Sequence, residues 1–425
     1  LYQRQELLNL IDLFTPQNLI DFYSNLFDNL NLSNFQEYLP SKFGPKGFSR
    51  HALLRAFIVM KCEKFALLTD LKDFLNNNLK IAHLCGFDIL KPLPSYTVFQ
   101  RFIKNLSNDT LKEIFKNQVL ELKKLGVISP EFVSLDSTPI KANTKQNNPK
   151  SFTKSKFKKS NQPKSDKDCK LGVHSASNEI TEKNFEYYWG YKNFVLCDAI
   201  SGLPIDEITT TAEKADISMQ IPFLTQTNQW FNLNGTYFIA DKGFDSKANH
   251  NFIKNYLHGL AFIARNKRGT KKPNTLPTGN PICEAGLAMH KDGRQYLKDS
   301  IKQKFCCPFR TSKDDTKCPC NHQKYFNGKR NRGCVKYKSI GTDYRASINT
   351  ESLFFKKIYS LRTESERYNS RLKKLNLENA FVRNMNSVAN LTTLGHICLL
   401  TSSLTAIKLN QPDKTKSLTG LKRSA

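Results

Sequence analysis

The sequence predicts a mixed α/β protein with a helical N-terminal region and a Cys-rich basic insertion. Three observations lead to this. Apolar residues recur at helical spacing through the first 125 positions. From about residue 126, β-rich segments appear and then alternate with helical ones. Between residues 266 and 348, cysteines, glycines and basic residues interrupt that rhythm. The expected boundaries are 1–125 for the helical region, 126–265 for the first part of the sheet domain and 266–348 for the insertion. Helices at 349–410 then return to the sheet domain, and 411–425 form a basic tail. A length of 425 residues fits two or three domains at roughly 150 residues each.

Leu53, Leu54, Phe57 and Ile58 mark an amphipathic helix with Ser49 as its N-cap. A second helix is expected over 67–79. Ser95 then caps a helix that carries Phe99, Phe102, Ile103 and Leu106 on one face, with Arg101 and Lys104 towards the other. That short basic-faced helix reads either as a helix-turn-helix DNA reader or as ordinary helical packing. EFVSLDSTPIKA has a strand core, Phe132, Val133 and Leu135, ended by Asp136 and Pro139. The Lys/Asn/Ser stretch that follows is low in complexity and reads as a loop or a disordered segment. YYWGYKNFVLCDAI and LPIDEITTT form two paired strands around a Ser201-Gly202 turn. A helix from Ala215 to Trp230, the strand TYFIADKGF, a helix from Ser246 to Leu257 and the strand LAFIAR follow, and the chain is helical again from Leu353 to about Leu409.

Composition narrows the function. The net charge is +28, with hydrophobic residues at 39% and aromatics at 11%, too many for a wholly disordered chain. The surplus is placed unevenly. Ten lysines lie between Lys141 and Lys170 against Asp166 and Asp168, and a second basic block runs from Ile301 to Ile340. Such a surplus suggests an acidic polymer, usually nucleic acid, as partner. The longest apolar run, Leu394 to Ile407, is broken by His396, Thr401, Ser402 and Ser403, and is too short and too polar for a membrane span. The first residues carry Glu6 and Asp12 and lack a cleavage site, unlike a secretory signal. Eleven unevenly spaced cysteines fit a reduced compartment, and the expectation is a soluble cytoplasmic protein.

Two aspartates, Asp136 and Asp241, follow strand-like segments. In YSLRTESERYNSRLK, the residues Tyr359, Arg362, Glu366 and Lys373 are spaced by 3, 4 and 7. At about 100° per residue they share one narrow stripe of a helix, while Ile358, Leu361, Tyr368, Leu372 and Leu375 occupy the opposing arc. By spacing alone the stripe is either a solvated face with an Arg362–Glu366 ion pair or a functional face.

The pattern Y-x2-R-x3-E-x6-K resembles the signature of one branch of bacterial insertion-sequence DDE transposases. SLDSTPIKAN around Asp136 looks like the first-aspartate strand of that family, and IADKGFDS around Asp241 looks like the second. GYKNFVLCDAISGLPI is similar to the family's central hairpin, and HALLRAFIVMK through PSYTVFQRF resembles its InsH-type N-terminal region. The resemblance implies an RNase H-like sheet and a DNA strand-cleaving and joining enzyme. It implies a metal-bound triad of Asp136, Asp241 and Glu366, with two Mg2+ ions for which Mn2+ can substitute, and DNA contacts from Tyr359, Arg362 and Lys373. Magnesium suits such a site because it prefers hard oxygen ligands and retains several waters. The implied partners are double-stranded DNA, as terminal inverted repeats and target, and a second copy of the chain on paired ends. The implied location is a bacterial cytoplasm, associated with the nucleoid. The neighbouring carboxylates Asp198, Asp245 and Glu364 read as structural or exposed.

Six cysteines lie between Cys283 and Cys334. Cys306 or Cys307 together with Cys318, Cys320 and Cys334 make one candidate zinc set, and free thiols are the alternative. Cys62, Cys85, Cys169, Cys197 and Cys398 read as ordinary packing residues. Two other functional readings stand beside the enzyme: a catalytically inactive DNA-binding protein descended from a transposase, and a basic zinc-ribbon RNA-binding protein. The second leaves the helix stripe and both aspartate segments unexplained.

Overall fold

The computed structural model describes residues 15–40, 47–176, 184–266, 275–276, 278–297, 300–310, 334–340 and 344–424. The chain forms two units, one from residues 1–264 and 350–425 and the other from residues 265–349.

The larger unit begins with helices α1 (Gln17–Asp28), α2 (Arg50–Cys62), α3 (Leu68–Asn77), α4 (Leu79–Cys85), α5 (Tyr96–Asn105) and α6 (Asn108–Lys124). Ser49 caps α2 as expected, its hydroxyl accepting from the Ala52 N–H at 3.3 Å. Ser95 precedes α5 but does not cap it with its side chain; its hydroxyl bonds Thr97 Oγ1 at 2.9 Å instead. Phe99, Ile103 and Leu106 are buried, and Arg101 and Lys104 are exposed.

The sheet contains β1 (Phe132–Lys141), β2 (Lys170–Ala176), β3 (Asn184–Asp198), β4 (Pro204–Thr211), β5 (Tyr237–Ala240) and β6 (Leu260–Ile263). Its order is β2-β3-β1-β5-β6, with β4 also paired to β3. β2, β3, β4 and β1 pair antiparallel, whereas β1, β5 and β6 are parallel. Gly190 lies where β1 and β2 flank β3, and an added Cβ would stand 2.1 Å from the Ile140 carbonyl oxygen, so only glycine fits.

β1 departs from expectation by running straight through Asp136 and Pro139. The Ala142 N–H bonds Trp189 in β3, while the Lys141 N–H points the other way, to Glu378. By alternation the Pro139 nitrogen also points away from β3, past the end of β5, where no ladder bond is lost. β2 was not expected, because KLGVHSA offers only Leu171 and Val173 as strand formers. The lysine-rich stretch before it is a loop with two short 3-10 turns. The Trp189 indole N–H donates to the Lys156 carbonyl at 2.7 Å and fastens that loop to β3.

Between the strands lie α7 (Asp216–Asn228) and α8 (Lys247–Asn255). The last part of the unit comprises α9 (Leu353–Tyr359), a 3-10 turn (Ser360–Arg362), α10 (Thr363–Lys373), α11 (Met385–Lys408) and α12 (Leu418–Ser424). The expected continuous helix is therefore broken between Lys373 and Met385, where Asn376 and Asn384 adopt positive φ. Every residue of α11 from Ser387 to Ala406 is buried. It packs against α6, β4, α2 and α5, so the N-terminal helices and the sheet share one core. Several of its hydroxyls are satisfied within the helix: Thr392, Thr393, Ser403 and Thr405 donate to carbonyls four residues back at 2.8–3.0 Å. Among the described residues, no helix is long and apolar enough to cross a membrane.

The smaller unit is a three-stranded antiparallel sheet of β7 (His290–Leu297), β8 (Ser300–Cys306) and β9 (Val335–Ile340). Cys283, Met289 and Phe305 form its small core.

Candidate active site

Leu135 and Ala240 are register partners on the parallel strands β1 and β5. Asp136 and Asp241 each follow by one residue, so the two carboxylates emerge side by side at the point where the strands part. Asp136 accepts from the Ser137 N–H at 2.9 Å, and Asp241 accepts from the Gly243 N–H at 2.7 Å at the head of a short 3-10 turn. Burial pushes the Asp136 pKa up to about 6, and the Asp241 charge adds to the rise against the Ser137 hydrogen bond and Arg362. Asp241 is raised for the same first reason, burial, with Asp216 adding to it. Two partly buried acids that repel one another are poised to take up a cation.

α10 lies against β1 and β3, with Tyr368, Leu372 and Leu375 packed on Val195 and Cys197. Asn369 donates to Asp136 Oδ2 at 2.8 Å, and its own Oδ1 is buried without a partner among the described residues. An acceptor left unsatisfied beside two carboxylates is what a bound ion or its hydration water would complete. On the same side, Arg362 pairs with Glu366 at 2.7 Å, and its guanidinium lies 5.8 Å from the centre of the Tyr359 ring. Burial works against the Arg362 charge, but Tyr359, Glu366 and Asp136 outweigh it and raise its pKa. Arg362 thus feels the charges of Asp136 and Asp241, Tyr359 feels that of Asp241, and Glu366 is joined to this group through its pair with Arg362. Lys373 stands further along α10, exposed and paired with Glu378 at 3.2 Å.

Among the described residues, no three His, Cys, Asp or Glu side chains stand close enough to hold a metal ion directly. Glu366 is paired with Arg362 and would have to exchange that partner to take an ion. The donor set of carboxylates and an amide oxygen fits a hard, hydrated cation such as magnesium.

A buried polar network supports α10 from behind. The Tyr368 hydroxyl meets His396 Nδ1 of α11 at 2.5 Å, and His396 Nε2 meets Asn193 of β3 at 3.1 Å. Asn193 donates to Glu207 of β4 at 2.7 Å, and Lys112 of α6 pairs with Glu207 at 2.5 Å. Burial lowers the His396 pKa to about 4, so the ring is neutral.

Sequence reading missed Asp216, the first residue of α7. It accepts from Ser137 Oγ at 3.0 Å and pairs with Lys192 at 3.0 Å. Its only sequence signal is an acid in the first turn of a helix, which favours the helix dipole anyway and so announces nothing more. Asn369 was missed because it falls on neither the apolar arc nor the charged stripe. Of the neighbouring acids, Asp198 accepts from Ile200 and Ser201 within its turn and from the distant Ser129 N–H, Asp245 is buried beside His250, and Glu364 pairs with Arg367 and Lys416.

In the smaller unit Cys306 donates to Asp292 at 2.8 Å, and the Cys307 N–H bonds the Cys334 carbonyl at 3.0 Å. Cys318 and Cys320 lie outside the described residues. The described cysteines form no zinc ligand set. Cys62, Cys85, Cys169, Cys197 and Cys398 are all buried.

The chain belongs to the transposase DDE domain family, whose profile it matches over residues 128–401. Residues 8–105 match a second family, described as a transposase domain (DUF772). Among solved structures, the chain is similar to one described as "Cryo-EM structure of piggyBac transposase synaptic complex with hairpin DNA (SNHP)". The identity is 11% and the TM-score 0.38, covering 95% of this chain and 76% of that one. No curated protein matches the sequence.

Proposed function

We propose that this chain is an active transposase that binds the ends of its own insertion sequence, cuts the DNA there and joins it to a target. The observation that carries the reading is the convergence of Asp136 and Asp241, at the parting of two parallel strands, with the helix of Glu366 tied to Asp136 through Asn369. The strand order, antiparallel on one side of β1 and parallel on the other, supports an RNase H-like assignment.

In this reading Asp136, Asp241 and Glu366 hold divalent cations, and Asn369 fixes the Asp136 carboxylate. Two magnesium ions, or manganese in their place, supply activation of the attacking oxygen and stabilisation of the leaving one at a phosphodiester. Arg362, released from Glu366, is placed to take a phosphate oxygen, with a fork suited to that geometry. Tyr359, stacked on Phe355 with ring centres 5.6 Å apart, offers a face to a base or its hydroxyl to a phosphate. Lys373 extends the positive stripe along the same helix. Terminal inverted repeats and target DNA are the partners, and holding two ends at once calls for a dimer in the bacterial nucleoid. In the smaller unit Lys302 and Lys304 share one face of the sheet with Tyr337, a basic and aromatic surface suited to the DNA backbone.

The test is cleavage of an element-end duplex in magnesium by wild type and by Asp136→Asn, Asp241→Asn and Glu366→Gln. Each variant is expected to bind the duplex and fail to cut it. Cutting at wild-type rate by any one removes that residue from the site. Absence of cutting by wild type, with end binding intact, favours a DNA-binding descendant without catalysis.

A further inference from the structure

Asp216 lies about eighty residues downstream of Asp136, yet it belongs to the same constellation. Its Oδ1 accepts from Ser137, the residue after Asp136, and from Lys192 on β3. Its other oxygen faces Gly243. A Cβ built on Gly243 would stand 3.4 Å from Asp216 Oδ2 and 2.8 Å from Asp241 Oδ1, so the bare glycine keeps a small gap between the two carboxylates. Asp216 also contributes to the electrostatic field at both Asp136 and Asp241. The buried, unpartnered Oδ1 of Asn369 is a second acceptor beside Asp136.

A role in packing explains little of this. An acid in the first turn of α7 needs neither Ser137 nor Lys192, and nothing about helix capping requires it to face Asp241. Asp216 is not close enough to join Asp136 and Asp241 in a direct three-carboxylate ligand set. A magnesium ion, however, keeps several of its waters, and those waters need acceptors.

We propose that Asp216 is an outer acceptor of the cation site, taking hydrogen bonds from water on an ion held by Asp136 and Asp241, with Ser137 and Lys192 fixing its carboxylate. The proposal rests on the metal-dependent reading of those two aspartates. Asp216 is a positioning residue: it orients hydration water and touches neither DNA nor the reacting phosphorus. Lys192 holds it in place but adds a positive charge that opposes the ion, so the two partners should act on metal affinity in opposite directions.

The experiment is titration of the full chain with Mn2+, following the electron paramagnetic resonance signal of the free ion, with thermal melts of each variant. Asp216→Asn should weaken Mn2+ binding about tenfold, the scale of a lost outer-shell partner, while melting stays at wild-type temperature. Lys192→Gln should leave Mn2+ binding equal or tighter. Asp216→Glu keeps the charge and displaces the oxygens. Weakened binding by Asp216→Glu supports the positioning role, and wild-type binding overturns it in favour of a bare field effect. In cleavage assays, the magnesium needed for half-maximal rate should rise by the same factor in Asp216→Asn, with the rate recovering at high magnesium. Wild-type Mn2+ affinity in Asp216→Asn sinks the proposal. Asp241→Asn separates the two readings: if it too binds Mn2+ as wild type does, the metal site itself is wrong, whereas if it alone loses binding, only the role of Asp216 falls.

Discussion

Asn369 Nδ2 lies 2.8 Å from Asp136 Oδ2, a bond across 233 residues that ties the helix of Glu366 to the strand of Asp136. One turn of helix separates Asn369 from Glu366, so this bond helps to set how far Glu366 stands from the aspartates. Asn369→Ala should leave end binding intact and reduce cleavage, while Asn369→Asp, which places a second charge against Asp136, should reduce it further. A single-turnover cleavage assay with melts of both variants decides this. Equal cleavage by wild type and Asn369→Ala would make the bond a packing detail.

The Arg362–Glu366 pair is half-exposed, so its loss as an ion pair alone should cost a few tenths of a kcal/mol. If Arg362 takes a phosphate beside the carboxylates, Arg362→Ala should lower cleavage about a hundredfold at near-constant stability. Arg362→Lys should recover only part of this, because a lysine lacks the fork. Lys373→Ala should weaken end binding and reduce its salt slope by about one phosphate contact, and Lys373→Arg should be tolerated better. Normal cleavage and salt slope in both alanine variants would return the stripe to a solvated face.

Asp136 has a folded pKa of about 6 against an ordinary 3.8, raised first by burial. A raised carboxyl stabilises the fold while protonated, and that contribution is lost as pH rises through the folded value. In the absence of divalent ions, Asp136→Asn should therefore melt about 2 °C above wild type at neutral pH, and the gap should close as pH falls towards 4. Melting curves in chelator across that range test the sign. A destabilised Asn variant at neutral pH would contradict it.

His396 shows the opposite case. Burial holds its folded pKa at about 4, below the ordinary 6.5, so the unfolded chain binds the proton first. Its contribution to stability is full above 6.5 and is lost as pH falls towards 4, at up to about 1.4 kcal/mol per pH unit. Urea unfolding should show this loss in wild type, and His396→Gln should flatten the dependence over that interval. An unchanged slope in the variant would place the titration elsewhere.

Lys112 and Glu207 join α6 to β4 at 2.5 Å, with the Glu207 side chain fully buried. Removing one partner strands the other charge, so Lys112→Met should cost about 3–5 kcal/mol. Adding Glu207→Gln should restore much of it, as read by chemical denaturation. Additive losses in the double variant would show that the pair is not coupled.

Periodicity was enough to locate most helices and strands, because burial on one face imposes the 3.6 and 2 repeats that a reader sees. The places where it misled have causes in pairing and packing between distant segments. β1 runs on past Pro139 because the missing N–H falls beyond the end of β5, a fact of pairing and not of propensity. KLGVHSA becomes a strand only because β3 is long enough to carry β2 and β4 in succession along one edge. α11, with its many serines and threonines, is buried all round because neighbouring elements surround it, and Thr392, Thr393, Ser403 and Thr405 bond its own carbonyls.

The candidate site divides in the same way. By itself the sequence determined the identity and spacing of Tyr359, Arg362 and Glu366 and the placing of Asp241 directly after a strand, since those depend on residues a few positions apart, whereas Asp136 proved to lie inside β1. Tertiary structure alone decided that Leu135 and Ala240 share a register, that Asn369 reaches Asp136, that Arg362 occupies Glu366, and that Asp216 arrives beside Asp241. Each of those is a contact between distant segments, and its partner is chosen by sheet pairing and helix packing, which leave no spacing to read along the chain.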